Sequence, residues 1–276
     1  MTSGDTRGAV RVAVLGASGR MGVSLLRAIH ESAEFKLVGA LVSEESRARG
    51  ADASRIAGLA SDFGVQVTDD PRAALRGAEV ALDFSVAAAV AGHVRAALDS
   101  GCALLVGTTG LDASASAALE DAAARIPVLV APNTSLGVNL LAQLVEQAAE
   151  ALGADYDIEI LEAHHRYKVD APSGTARKLG EAAAAGRGHA LGELAATARD
   201  GRSGPRKAGT IGFAVVRGGD IVGEHTVIYA GPGERLELSH RAHDRMTFAY
   251  GALTACEWLR GRAPGRYTMG DVLGFS

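Results

Sequence analysis

Val10-Arg-Val-Ala-Val-Leu15-Gly16-Ala-Ser-Gly19-Arg-Met-Gly22 is the stretch that decides the fold. An apolar, β-branched run stops at a glycine, and Leu25, Leu26 and Ile29 then recur at helical spacing, so the segment reads as strand, tight turn and helix. Phe35 to Val42 supplies a second buried strand and completes a βαβ unit with a right-handed crossover. Gly16, Gly19 and Gly22 are spaced as GxxGxxG rather than GxGxxG, which is a weak pattern alone. Its position between strand and helix strengthens it. Unsatisfied N–H groups and the positive end of the helix dipole would there face the pyrophosphate of a dinucleotide. Arg20 is a candidate phosphate contact or an ordinary surface arginine.

Outward from this unit, strands are expected at Val65 to Val67, Val80 to Asp83, Ala103 to Gly107 and Val128 to Ala131, separated by alanine-rich helical segments. Repeated βα alternation predicts a Rossmann-like, doubly wound parallel sheet. Gly107-Thr108-Thr109-Gly110 and Ala131-Pro132-Asn133-Thr134-Ser135 then fall at its carboxyl edge, where such folds bind ligands. Asp83-Phe84-Ser85 ends a third strand there and reads equally as a binding segment or as a turn and cap. An acidic residue usually marks the end of the second strand and accepts from the adenosine ribose. Here Leu41-Val42-Ser43 stands in that place, which leaves the choice between NADH and NADPH open.

After a helix over Gly137 to Gly153 the texture changes. Longer strands at Tyr156 to Ala163, Thr210 to Val216, Glu224 to Ala230 and Arg235 to Arg241, with turns at Gly218-Gly219-Asp220 and Gly231-Pro-Gly233, are expected to pair antiparallel. The basic, glycine-rich segment 200–209 reads as a mobile loop, for which a lid is one use. Met246 to Leu259 returns to helical periodicity. The expected division is a dinucleotide-binding domain from residues 1–135 and 246–276, and a second α+β domain with a mixed or antiparallel sheet from residues 136–245, for substrate binding and oligomerisation.

Composition narrows the function. With 276 residues and 47% hydrophobic content the chain can bury a large core, and 35 glycines with only 4% aromatics suit helices packed closely on a sheet. A net charge of −4 provides no global field for nucleic acid or for an anionic membrane. No apolar run approaches ~18 residues and the first nine residues lack an apolar core, so a cytoplasmic protein without a membrane span is expected. Cys102 and Cys256, far apart in apolar segments, suggest free buried thiols.

The run Glu162-Ala-His-His-Arg-Tyr-Lys-Val-Asp-Ala-Pro-Ser-Gly-Thr-Ala176 carries the chemistry. Ser173 can cap a helix whose opening amides, Gly174 and Thr175, would point at a carboxylate. His164, His165, Arg166 and Lys168 bring positive charge and transferable protons to the same place. A basic run alone is an ordinary solvated face, but the adjoining Pro-Ser-Gly-Thr makes it an anion site. The pair His164-His165 does not have metal spacing, and no metal is expected. On a strand the two rings would face opposite sides. His225 and His240 read as hydrogen-bonded structural residues in strands.

These stretches together resemble the dihydrodipicolinate reductase family, nearly end to end: Gly16 to Met21, Gly107-Thr-Thr-Gly110, Asn133 to Asn139, Glu162 to Ala176, Gly223-Glu-His225, Gly233-Glu-Arg-Leu-Glu237 and His240-Arg-Ala242. The resemblance implies reduction of the cyclic dicarboxylate 4-hydroxy-tetrahydrodipicolinate by NADH or NADPH, in diaminopimelate and lysine biosynthesis, by a homotetramer. It implies a catalytic histidine at His164, a proton-donating lysine at Lys168, and substrate contacts at His165, Gly174 and Thr175. It implies nucleotide contacts at Gly16, Ala17, Ser18, Gly19, Arg20 and Met21, at Gly107, Thr108 and Thr109, and at Ala131, Pro132, Asn133 and Thr134. Val42 and Ser43 depart from the acidic and basic pair that many members carry. Alternatives are a dehydrogenase of another amino or keto dicarboxylate and a non-catalytic dinucleotide sensor.

Overall fold

Buried strands of a parallel sheet are apolar on both faces, and β1 (Val10–Leu15) obeys this, with only Arg11 exposed. The structure, a computed structural model, describes residues 8–275. Of the leading residues read above for an export signal, 1–7 lie outside the described residues. The chain continues through α1 (Arg20–Glu31), β2 (Phe35–Leu41), α2 (Ala53–Ala57), β3 (Val67–Thr68), α3 (Pro71–Ala74), β4 (Val80–Asp83), α4 (Ala87–Ser100), β5 (Ala103–Val106), α5 (Ala113–Ala123) and β6 (Pro127–Val130). Asp52, Asp70 and Asp112 each cap the helix that follows, accepting from an amide of its first turn.

The second half contains α6 (Leu136–Leu152), β7 (Asp157–His164), α7 (Gly174–Ala185), α8 (Leu191–Leu194), β8 (Ala195–Ala196), β9 (Ile211–Arg217), β10 (Gly223–Gly231) and β11 (Glu234–Ala242). It is followed by α9 (Met246–Leu259), β12 (Gly265–Tyr267) and α10 (Met269–Leu273). The described residues divide into two compact units: those up to Ser135 with those from Met246 onward, and Leu136–Arg245 between them.

In the first unit the strand order is β12-β6-β5-β4-β1-β2-β3, and every pairing is parallel. Leu15, Leu82, Leu104, Leu105 and Leu119 are wholly buried in it, each contributing about 1.5–3 kcal/mol of transfer free energy. Helix α9 lies along α1, where Tyr250 donates to Glu31 at 3.0 Å, and Arg260 donates to Glu79 at 3.0 Å. Strand β3 is shorter and later than the sequence suggests, and β12 adds an edge strand that its mixed Gly-Arg-Tyr composition does not announce.

In the second unit the order is β11-β10-β7-β9-β8. The pairs β7–β10 and β10–β11 are antiparallel, whereas β7–β9 and β8–β9 are parallel. The expected mixed or antiparallel sheet is thus a mixed one, and of the long strands read as antiparallel it is β9 that pairs parallel. The physical reason is the crossover: α7 carries the chain back across the sheet, so β9 re-enters in the direction of β7. Ile158, Ile160, Phe213, Val227 and Tyr229 form a core with Leu141, Val145, Leu179 and Ala183 of α6 and α7. Tyr229 satisfies its buried hydroxyl by donating to the Val145 carbonyl at 2.6 Å. Gly233, at φ +84°, makes the two-residue β10–β11 turn possible after Pro232. Arg206, within the basic loop, donates to Asp157 and Glu159 at 2.6 and 2.8 Å and to the Ile158 and Thr210 carbonyls. That anchors the loop at the start of β7, the end opposite His164.

Candidate active site

The alternation of β7 sets the first groups. Ile158, Ile160, Glu162 and His164 are all buried, so a carboxyl and an imidazole continue the face that two isoleucines began. Glu162 is fully buried and every acceptor position on it is used. Its Oε1 accepts from the Ser173 amide at 2.9 Å and from Arg217 Nη2 at 2.8 Å, and its Oε2 from Arg217 Nη1 at 2.7 Å and His164 Nδ1 at 2.6 Å. Burial pushes the Glu162 carboxyl up, but the Arg217 fork, His164 and the Ser173 amide together hold it below the ordinary glutamate range. An ionised carboxylate cannot donate, so the His164 proton lies on Nδ1. Its Nε2 points toward Gly223, where a Cβ would stand only 3.1 Å away. Burial pulls the ring below the ordinary histidine range, more strongly than Glu162 raises it.

The loop after β7 is stitched to the β9–β10 turn by Gly218 N donating to the His164 carbonyl at 3.0 Å and Arg166 N to the Gly219 carbonyl at 3.2 Å. Lys168 Nζ pairs with Asp170 Oδ1 at 2.7 Å, and this contact holds the Asp170 carboxyl below its ordinary range. Arg217 Nη2 also donates to the Asp170 carbonyl at 2.7 Å, so one guanidinium links the lysine loop to the Glu162–His164 pair. Ser173 caps α7, accepting from Ala176 N at 3.1 Å, and the exposed Gly174 and partly exposed Thr175 open the helix. His165 lies one residue beyond the strand, where alternation no longer applies; its ring is 6.4 Å from that of Tyr167 and its buried Nδ1 has no hydrogen-bond partner.

His225 is hydrogen-bonded, with Nε2 3.2 Å from Ser173 Oγ. It is also part of the cluster: its ring stands edge-on to His164 at 5.1 Å, and burial beside His164 pushes it down to about 4. Sequence reasoning missed the roles of Glu162 and Arg217. The signal for Glu162 was available, an acid in phase with Ile158 and Ile160. Arg217 is the cross-strand partner of His164 only because β7 and β9 are parallel.

The first unit holds the other predicted residues. Gly16 takes φ +81°, and the amides of Gly16 and Ala17 donate to the Leu41 carbonyl at 3.0 and 2.8 Å. Those of Ser18, Arg20 and Met21 are left at the N-terminus of α1, the arrangement a phosphate uses. A Cβ on Gly22 would lie 2.3 Å from the Gly16 carbonyl oxygen, and one on Gly16 would lie 2.7 Å from that of Phe84. Glycine is therefore required for the turn to close on the helix. Buried Asp83 accepts from His93 Nδ1 at 2.8 Å, Ser85 Oγ at 2.6 Å and Thr108 Oγ1 at 3.1 Å, fixing the loops after β4 and β5. Thr109 follows on that second loop. Ala131 N donates to the Val106 carbonyl at 2.9 Å, and beyond exposed Pro132 the Asn133 side chain accepts from Ser135 N at 2.9 Å. Thr134 donates to the Phe248 carbonyl at 2.7 Å.

A cleft of about 270 Å³ opens beside the glycine turn, lined by Gly16, Ser18, Val42, Ser43, Phe84, Ser85 and Val86 among others. It is mostly apolar, with no carboxylate from the end of β2. The missing Cβ atoms, the helix terminus and this cleft fit a dinucleotide. Among the described residues no group of three or more His, Cys, Asp or Glu is placed to hold a metal ion, and no helix is long and apolar enough to cross a membrane.

Comparison with known proteins agrees with this geometry. The models of the N-terminal and C-terminal parts of dihydrodipicolinate reductase match residues 10–134 and 137–273. The 4-hydroxy-tetrahydrodipicolinate reductase of Alkalilimnicola ehrlichii is 52% identical over 264 residues, covering 96% of this chain and 98% of its own. That of Thiobacillus denitrificans is 52% identical over 265 residues, with 96% and 98% covered. A dipicolinate-bound dihydrodipicolinate reductase from a Paenisporosarcina species shares the fold, with a TM-score of 0.75 at 22% identity over 94% of this chain and 97% of that one. An amine dehydrogenase from Mycobacterium smegmatis shares it more loosely, with a TM-score of 0.60 at 16% identity over 94% and 95%. The chain belongs to the dihydrodipicolinate reductase family.

Proposed function

We propose that the chain is a 4-hydroxy-tetrahydrodipicolinate reductase using NADH or NADPH, acting in diaminopimelate and lysine biosynthesis. The observation that carries this reading is the buried Glu162–His164 pair joined through Arg217 to the Lys168 loop, beside the capped start of α7. In this reading Gly16 to Met21, Gly107 to Thr109 and Ala131 to Thr134 hold the coenzyme. The amides of Gly174 and Thr175 receive one substrate carboxylate, with Lys168 and His165 balancing charge. Loss of the 4-hydroxyl as water leaves a conjugated imine. When bound, the reduced nicotinamide supplies the hydride that adds at ring C4. The enamine so formed takes a proton at C3 from Lys168 or His164, and general acid catalysis of this kind is worth about 10²- to 10⁴-fold.

The protein is also proposed to work in the cytoplasm as a homotetramer. Support for assembly comes from the face of the second sheet turned away from α6 and α7, where Leu161 is 40% and Val216 46% exposed. A coupled assay that generates the unstable ring compound in place tests the activity. Substrate-dependent oxidation of NADH or NADPH is expected, with turnover depressed far more than coenzyme affinity in Lys168→Ala. Activity only on aspartate or a simple 2-oxo acid would select a different dicarboxylate dehydrogenase, and binding without turnover would select a sensor.

A further inference from the structure

We propose that Arg217 is a positioning residue that sets the charge of His164: by taking both oxygens of Glu162 it keeps the imidazole neutral, with its single proton on Nδ1 and a bare Nε2. The inference rests on the reading of His164 as a residue that touches substrate. Charge counting carries it. Three groups give the Glu162 carboxylate four hydrogen bonds, two of them from Arg217, and of the three only Arg217 must be cationic. Glutamate and arginine alone sum to zero, so a proton on His164 would leave a net positive charge in a buried site. Without Arg217, the same carboxylate would find its counter-ion in a His164 imidazolium.

The guanidinium is fixed for this task. Besides the fork at 2.7 and 2.8 Å, its Nη1 donates to the Val216 carbonyl and its Nη2 to the Asp170 carbonyl, each at 2.7 Å. The other groups facing His164 act in the same sense or are already matched. His225 stands against it from β10, with His240 behind on β11, and any proton on either would repel one on His164. Lys168 faces it from the loop but is paired with Asp170. A neutral His164 with Nδ1 committed to Glu162 can only accept at Nε2. The standing proton source is then the Lys168 ammonium, which divides the two roles left joined above.

The test is an NMR titration of the histidine Cε1–H signals in the free protein, with His164 identified by its loss in His164→Asn, alongside the pH profile of kcat/KM. Arg217→Gln is expected to raise the His164 titration by about one pH unit or more, because its positive neighbour is gone. Glu162→Gln is expected to lower it, and Arg217→Lys to fall between wild type and Arg217→Gln. The acid limb of the profile should follow in each case. Should Arg217→Gln not fold, Arg217→Lys and Glu162→Gln still carry the opposite signs. A titration that moves in neither variant, or in the same direction in both, overturns the inference and leaves Arg217 a structural residue. If the titration moves as expected but the profile ignores it, Arg217 keeps this role and His164 loses its place in the reaction.

Discussion

Gly22→Ala separates two effects of opposite sign. Helix propensity alone favours alanine over glycine by about 1 kcal/mol in a helix interior, so α1 considered alone should gain. The added Cβ would lie 2.3 Å from the Gly16 oxygen and 2.5 Å from that of Ala17, both backbone atoms that cannot rotate away. An unstrained carbon–oxygen contact needs about 3.3 Å, so α1 must retreat from the turn by about 1 Å. Overpacking of this kind costs about 1–3 kcal/mol. Sterics at the upper end outweigh propensity, leaving a net loss of roughly 2 kcal/mol and a Tm lower by about 4–8 °C. The functional loss is larger, since a ~1 Å displacement of a binding group is worth about 100-fold. Calorimetric titration with reduced coenzyme, together with thermal unfolding, measures both. A Gly22→Ala protein whose coenzyme affinity stays within about threefold of wild type, a difference under 1 kcal/mol, would refute the reasoning that the glycine holds turn and helix in register.

Ser173→Ala removes the cap on Ala176 N, worth about 1 kcal/mol, and strips His225 Nε2 of its partner, worth about 1–3 kcal/mol more. Urea unfolding should show a loss of roughly 2–4 kcal/mol, and an unchanged midpoint would sink the assignment of both bonds. Burial beside His164 pushes His225 down to about 4 in the fold, against about 6.5 for an unperturbed histidine. The unfolded chain therefore binds the extra proton first, and stability should fall by on the order of 3 kcal/mol as pH drops from 6.5 to 4. His225→Gln should flatten that part of the curve; an equally steep curve would show that other groups cause it. Burial pushes the Cys102 thiol up to about 12 and also raises that of Cys256, so neither should react with a disulfide reagent at pH 8 until the chain is unfolded.

The parallel sheet was legible because β1, β4 and β5 are short, mainly apolar runs, broken only by Arg11 and by Asp83 at the end of β4, as strands buried on both faces must be. The glycine turn was legible from its neighbours rather than from its spacing. Strand direction in the second unit was not, since nothing in Ile211–Arg217 records that a helical crossover precedes it. That one unknown hid Arg217, which is 55 residues from Glu162 in the chain and meets it only through the parallel register. The basic loop misled for a related reason. Its composition suggested mobility, whereas Arg206 within it is held by Asp157 and Glu159. Charge runs announce their sign but not their partners.

Glu162 binds β7, the end of β9 and the entrance to α7 with a single carboxylate. Those three segments cannot come apart one at a time without stranding a buried anion, so the Glu162–His164 cluster and its supporting sheet should be lost in one cooperative step. Residual turnover during denaturation would then count intact molecules, and an enzyme assay would serve as a direct gauge of how much of this unit remains folded.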